Sequence, residues 1–472
     1  MPYNSDEYFN SKKFKSILKD YEASLRTGDF ILLDSEEMTD IAEYYYNEGY
    51  ISQACDLIDK AIEIYPGAAP PLLFKARIAL LDDQDTEKAN FIAEQIDDKC
   101  DIEYYYIKAE IMINNDETDK ADSYLEMCLD NIDEEDKDYC YIDITDIFLD
   151  YEKYDIAEKW FNKVRNKELV EYKEQYAKIL FEKGDFEKSK VLYDELIDKD
   201  PFSVKYWNSL ASSQFLCNNI EDGIKSCEYA IAINPNNAIA ILNKANGLYQ
   251  LGNIEEALSY YEKYNKLNPN EINGEIMLGC CYVMLEKYEK AIEHFEKIES
   301  LVKSETKDLS DTYKEWAFAL SRLNRYKEAL NILDKTEHLD CDHNEILVLR
   351  GNILLESGDK EAAINFYTKA LTSSGFSSDI ILKVSISLYE YGFFKSSYKL
   401  LHTLISQDKN ITKCYVYLAA CCLDMKKYDE FLEHLEQAVK YRPEDVRNIL
   451  GYLFPQNMQP VDYIKYIKEK LS

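Results

Sequence analysis

His338, Cys341 and His343, interleaved with Asp340 and Asp342, form the one local concentration of soft and borderline metal ligands in the chain. Their spacing matches no zinc signature and no second ligand pair lies near in sequence, so they read as a loop closing a helix, with no metal bound. The pairs Cys280-Cys281 and Cys421-Cys422 lack the Cys-x-x-Cys spacing of a redox couple. Consecutive helical positions point in different directions, so core packing claims at least one thiol of each pair. There is no glycine-rich phosphate loop with its lysine, no His-Glu-x-x-His and no Gly-x-Ser-x-Gly elbow. Carboxylates abound, but abundance alone does not set a protonated acid against an ionised base. The chain therefore reads as a non-enzyme without a cofactor. The chemistry left to it is recognition through charge, amides and aromatic rings.

At 472 residues the chain is too long for one ordinary core, and with 46 % hydrophobic residues but only 14 Gly and 10 Pro it is mostly structured. The net charge of −34 repels phosphate backbones and anionic lipid, which argues against nucleic-acid and membrane-surface partners. Most of the excess lies early: residues 1–200 hold 51 acids against 24 bases. Twelve cysteines at irregular positions read as thiols of a reducing compartment. No apolar leader or long uncharged span appears, so a cytoplasmic protein is expected.

The chain repeats itself. A small residue followed at four and three by large apolar ones, as in Ala54, Ile58 and Ala61, recurs at Ala89, Ala121, Ala157, Ser189, Gly223, Ala257, Ala291, Ala329, Ala363 and Ser397, and less well at Phe431. Successive slots lie 32 to 38 residues apart. Ahead of each runs a second stripe at helical spacing, such as Trp207, Leu210 and Ala211, or Ile241, Ala245 and Leu248. Turns such as Lys183-Gly184-Asp185 and Leu251-Gly252-Asn253 separate the stripes. Prolines 66, 201, 235, 269 and 443 stop helices between units. Each unit is thus an antiparallel helix pair, and since one pair cannot bury both its faces, pairs must stack.

The stripe Trp207-x-x-Leu210-Ala211 with Gly223-x-x-x-Cys227-x-x-Ala230 and Pro235, and Ala245-x-x-Leu248-x-x-x-Gly252 with Ala257-x-x-x-Tyr261-x-x-Tyr264 and Pro269, resemble tetratricopeptide repeats. About twelve such repeats cover residues 35–445. The resemblance implies an all-α, right-handed solenoid of stacked helix pairs whose inner surface is lined by the first helix of each pair. Residues 1–34 are expected to supply a capping helix near Lys13 to Arg26 with Phe14, Ile17, Leu18, Tyr21 and Leu25 on its apolar face. Residues 446–472 supply another, bearing Val461, Ile464, Ile467 and Leu471. Between the caps, repeats one to eight are assigned to 35–305 and nine to twelve to 306–445, with extra residues near 299–309. Repeats two to four lack regular punctuation and are expected to be irregular.

On that geometry the early first helices turn Glu36, Thr39, Glu43, Tyr46, Glu103, Tyr106, Glu110, Ile142, Asp146, Glu171 and Glu174 inward, a carboxylate-rich wall suited to a basic segment. Farther on, Asn208, Phe215, Asn246, Tyr249, Phe318 and Asn352 offer amides to hold a peptide backbone and rings to meet its side chains, beside Val283, Val348 and Leu355. The tyrosine runs at 44–46 and 104–106 place some rings in the seams between repeats. Family members that grip a C-terminal carboxylate use inward Lys, Asn and Arg in successive first helices. Here Asn208 and Asn246 stand without the paired bases. The expected function is a protein-interaction scaffold binding a peptide or partner surface on the concave side. The alternatives are a small-molecule receptor or enzyme with its site near 299–309, and self-assembly into a homo-oligomer through an uncapped end.

Overall fold

A computed structural model describes residues 8–9, 11–27, 31–47, 49–82, 84–269, 271–301, 309–408 and 410–471. Among them there are helices and short 3-10 turns and no strand. The expected break at 305–306, and most of the 299–309 segment, lie outside the described residues. The chain forms two compact units, Met1–Asn218 and Asn219–Ser472.

The first unit begins with the helix Lys12–Thr27 and continues through five helix pairs, from Ser35–Asn47 with Ile51–Ile64 to Val170–Glu182 with Phe186–Lys199, ending on Val204–Leu216. The second begins with Ile220–Ile233 and continues through six pairs, from Ala238–Gln250 with Ile254–Leu267 to Lys413–Asp424 with Tyr428–Tyr441, then Pro443–Leu450 and Tyr463–Leu471. Within each unit paired helices pack on one another, and in most repeats the second helix packs on the next first helix; after Tyr154–Phe161 the link is the stack of Phe161 on Tyr172. Neighbouring first helices also meet within each unit, as Ser35–Asn47 meets Ala69–Leu81 and His343–Glu356 meets Ser378–Glu390.

The small slots explain the pairing. Ala54, Ala89, Ala121, Ala157, Ala257, Ala291, Ala329 and Ala363 are wholly excluded from solvent, as are Ser189 and Ser397. Where serine fills the slot its hydroxyl must find an acceptor. Ser189 Oγ donates to the Ala177 carbonyl at 2.9 Å and Ser397 Oγ to that of Ser385 at 2.7 Å, each in the paired first helix. The first helix contributes its own close approach: a Cβ on Gly279 would lie 2.3 Å from the Phe295 ring, and one on Gly351 2.4 Å from that of Tyr367.

The turn inside each pair needs one left-handed residue. Gly184, Gly252 and Gly392 take it at φ near +80°, and the next N–H bonds the carbonyl five residues back, as in Asp185 to Leu180 at 2.8 Å. Glu152, Glu286 and Lys426 hold the same place at φ 57°, 56° and 61° without being glycine. The irregular early repeats are also visible: Thr86–Ala93 and Tyr154–Phe161 have only 8 residues where Ile51–Ile64 has 14.

A helix packs near each end of the chain, and two residues differ from the faces expected of them. Phe14 packs beside Phe9 and Tyr44 under the first pair. Leu25, placed on that apolar face, is 58 % exposed: it continues the stripe of Phe14, Leu18 and Tyr21, but at the last turns of the helix that stripe runs past the core beneath it. At the other end Phe454 stacks on Tyr463 at 3.8 Å and Ile467 is buried. Val461 precedes the terminal helix and stays 80 % exposed.

Ala257→Leu is expected to cost about 1–3 kcal/mol by forcing its helix off its partner. Glu286→Gly should instead stabilise by up to about 1 kcal/mol, relieving the left-handed strain of a side chain there. Urea denaturation followed by circular dichroism reads both.

Candidate functional site

Two hollows open among first helices. In the first unit, a hollow of about 220 Å³ is lined by Glu36, Thr39, Asp40 and Glu43 of Ser35–Asn47, by Leu73, Phe74 and Arg77 of Ala69–Leu81, and by Asp101 and Glu103 at the start of Ile102–Asn114. Arg77 is 5 % exposed. Its Nε lies 3.3 Å from Glu110 Oε1 and its Nη2 3.5 Å from Glu103 Oε2. One guanidinium thus serves two carboxylates beside a lining that carries four more acids, Glu36, Asp40, Glu43 and Asp101. Burial pushes the Glu103 carboxyl up to about 7, against the pull of Arg77.

Other residues of the acidic wall are used within the fold. Tyr106 is buried and donates to Asp143 Oδ2 at 3.1 Å; Glu110 is buried on Arg77. Tyr46 donates to Asp82 Oδ2 at 2.5 Å. Asp146 accepts from Gln175 Nε2 at 3.3 Å and pairs with Lys178. Tyr206 donates to Glu174 Oε2 at 3.0 Å, and Ile142 is buried between helices. Asn208 and Phe215, half-buried on Val204–Leu216, lie outside the hollow.

In the second unit a hollow of about 640 Å³ spans Leu309–Arg322, His343–Glu356 and the end of Ser378–Glu390. Phe318 and Asn352 both line it, with Lys314, Arg322, Leu349, Glu356, Glu390 and Tyr391. Asn352 Oδ1 accepts the Tyr367 hydroxyl at 2.7 Å, and Asn246 Oδ1 accepts that of Tyr261 at 2.6 Å. Both amides therefore brace a first helix against its partner. Tyr249 is half-buried and lies apart from the hollow. Val283, Val348 and Leu355, set inward by the sequence reading, are buried instead, because they fill the seams between neighbouring helices.

The chain matches the tetratricopeptide-repeat profile over residues 315–378 and the profile for anaphase-promoting complex, cyclosome, subunit 3 over residues 217–298 and 356–438. The fold is a tetratricopeptide-repeat fold. Among curated proteins the chain is similar to the human protein O-mannosyl-transferase TMTC1, at 24 % identity over 134 residues, 28 % of this chain but only 14 % of that one. Among solved structures it is similar to an APC/C hetero-tetramer, Cut9-Hcn1, with TM-score 0.36 and 14 % identity over 92 % of this chain and 91 % of that one. It is also similar to a tetratricopeptide repeat protein from Parabacteroides merdae, with TM-score 0.40 and 16 % identity over 53 % and 99 %.

On the tetratricopeptide frame, Arg322, Glu356 and Glu390 occupy the same place in three successive repeats, 34 residues apart. Sequence reading by helical stripe missed them because they end their helices; the constant spacing was the signal that could have found them. Tyr391 Oη donates to Glu356 Oε1 at 2.8 Å. In the loop before His343–Glu356, Cys341 Sγ lies 3.9 Å from His343 Nδ1, and no group of three metal-ligating side chains occurs among the described residues. All twelve cysteines are free thiols.

Because the folded Glu103 holds its proton more tightly than the unfolded chain does, its contribution favours folding at pH 5 and is lost as the pH rises from about 4.5 through about 7. Glu103→Gln removes that loss. The variant should gain about 1–3 kcal/mol on the parent between pH 5 and pH 8, read from urea midpoints at the two values.

Proposed function

We propose that the chain is a protein-interaction scaffold that binds a peptide or partner-protein surface on the face built by its first helices. The observation that carries this reading is that two hollows, one in each unit, are lined almost wholly by first helices and present groups the fold itself does not consume. Glu36 is exposed on the rim of the first, and the Phe318 ring is 44 % exposed in the second. Binding would rest on shape and charge complementarity over several repeats, with no covalent step.

In the first unit the ligand is a basic segment. The hollow holds more carboxylates than its single arginine can balance, and a lysine or arginine side chain entering it would return Glu103 to its ionised form, releasing a proton near neutral pH. The charge of −34 disfavours nucleic acid as the partner, and no described helix is long and apolar enough to cross a membrane. Free thiols throughout fit a reducing compartment such as the cytoplasm.

The full chain, titrated with a fluorescein-labelled Lys/Arg-rich peptide in an anisotropy assay, should bind more weakly as salt rises, since the Debye length shortens from about 10 Å at 0.1 M to about 3 Å at 1 M. Glu36→Lys should weaken binding about ten-fold while leaving the thermal melt unchanged. Equal affinity for parent and variant would remove the basic segment as the ligand of this hollow.

A further inference from the structure

The larger hollow has a chemistry more specific than a generic binding face, and the assignment of a ligand to it rests on the scaffold reading. Its floor is apolar: Phe318, 44 % exposed, stands beside half-buried Leu349 and buried Ile353. At one edge, the last residues of three successive first helices present Arg322, then Glu356, then Glu390. A helix C-terminus is already the negative end of its dipole, so a carboxylate there is disfavoured unless a cation answers it. Glu390 is exposed and makes no hydrogen bond or ion pair among the described residues, while Glu356 accepts the neutral Tyr391 hydroxyl and feels the Arg322 charge one repeat earlier. Lys314, the other cation of the lining, is held at the opposite end of its helix by Glu345 at 2.8 Å and by Asp311 at 2.5 Å. The edge therefore carries two carboxylates in successive repeats beside one arginine, with Glu390 the one left without a charged partner.

We propose that this hollow seats an extended peptide by an aromatic or large aliphatic side chain laid over Phe318 and Leu349, and by a lysine or arginine of the same peptide, about three residues away, held between Glu356 and Glu390. The spacing follows from geometry. Packed helices lie about 8–10 Å apart and an extended chain advances about 3.3 Å per residue, so one repeat step corresponds to about three residues. Arg322 repels the same cation one repeat earlier, which fixes the direction in which the peptide lies. The partner is thus an extended protein segment with an apolar residue and a basic residue at that separation, not an acidic tail.

A phage-displayed library of random nonapeptides, selected against the immobilised full chain, tests this. Sequences with an aromatic or large aliphatic residue and a Lys or Arg three positions apart should be enriched at least ten-fold. That set should vanish on Glu390→Lys and on Phe318→Ala, and Glu390→Lys should favour Asp or Glu at the basic position. Glu390→Gln serves as the second variant should the charge reversal unfold the chain, and it should weaken the same set. Enrichment of peptides without that spacing, or of peptides indifferent to Glu390 and Phe318, overturns the assignment. If the enriched peptides instead depend on Glu36, this assignment falls while the scaffold reading stands. If nothing is enriched on the parent chain, this assignment falls, and the anisotropy titration decides the scaffold reading separately.

Discussion

A pair of short helices has two apolar stripes and one partner, and the structure is an answer to that imbalance. The partner helix covers one stripe and the next repeat covers the other, so no repeat is stable by itself. Close approach is what makes the arrangement work: ten of the small slots admit only alanine or serine at zero exposure, and Gly279 and Gly351 let Phe295 and Tyr367 rest against bare backbone. Larger side chains at those positions would separate the helices and open voids along the seam. The hydrophobic repeat is therefore tolerant of residue identity on its outer faces and intolerant at one position per helix.

Polar closure across the seams follows from the same stacking. Tyrosine is abundant, 40 residues, and its hydroxyls repeatedly reach a neighbouring repeat: Tyr46 to Asp82, Tyr106 to Asp143, Tyr206 to Glu174, Tyr391 to Glu356 and Tyr398 to Glu430. Hydrogen bonds to charged acceptors contribute about 1.5–3 kcal/mol each, more than neutral ones. Each such bond needs a carboxylate acceptor on the neighbouring repeat, so this way of joining repeats recruits acidic residues. Part of the net charge of −34 is thus a consequence of how the repeats are joined.

Period and helix pairing are legible because each rests on local pattern. The slots from Ala54 to Ser397, the prolines between units and the Phe14 helix all lie where sequence places them. Face assignment is less legible. A residue such as Val348 or Tyr106 sits at an inward position by repeat register, yet whether it meets solvent or a neighbouring first helix depends on how closely two repeats approach, which no single stripe encodes. Leu25 shows a related limit at a helix end: it lies on the face of Phe14, Leu18 and Tyr21, yet the core beneath that face stops short of it. Phe318 and Glu36 read as inward-facing, but the helix-terminal row of Arg322, Glu356 and Glu390 does not, since an amphipathic reading weights the middle of a helix.

That difference bears on where recognition can occur. Inward groups in mid-helix are mostly committed: Asn246 and Asn352 to tyrosines of their own pairs, Glu110 to Arg77, Asp146 to Lys178. Some helix-terminal groups escape that commitment: Glu36 stands exposed at the start of its helix and Glu390 at the end of its own. A repeat scaffold therefore keeps its mid-helix polar groups for cohesion and exposes spare charge at the rims. Sequence changes that retune a ligand without loosening the stack should concentrate at positions such as Glu36 and Glu390, where a change of charge alters the field at the rim and leaves the slots, seams and tyrosine bonds in place.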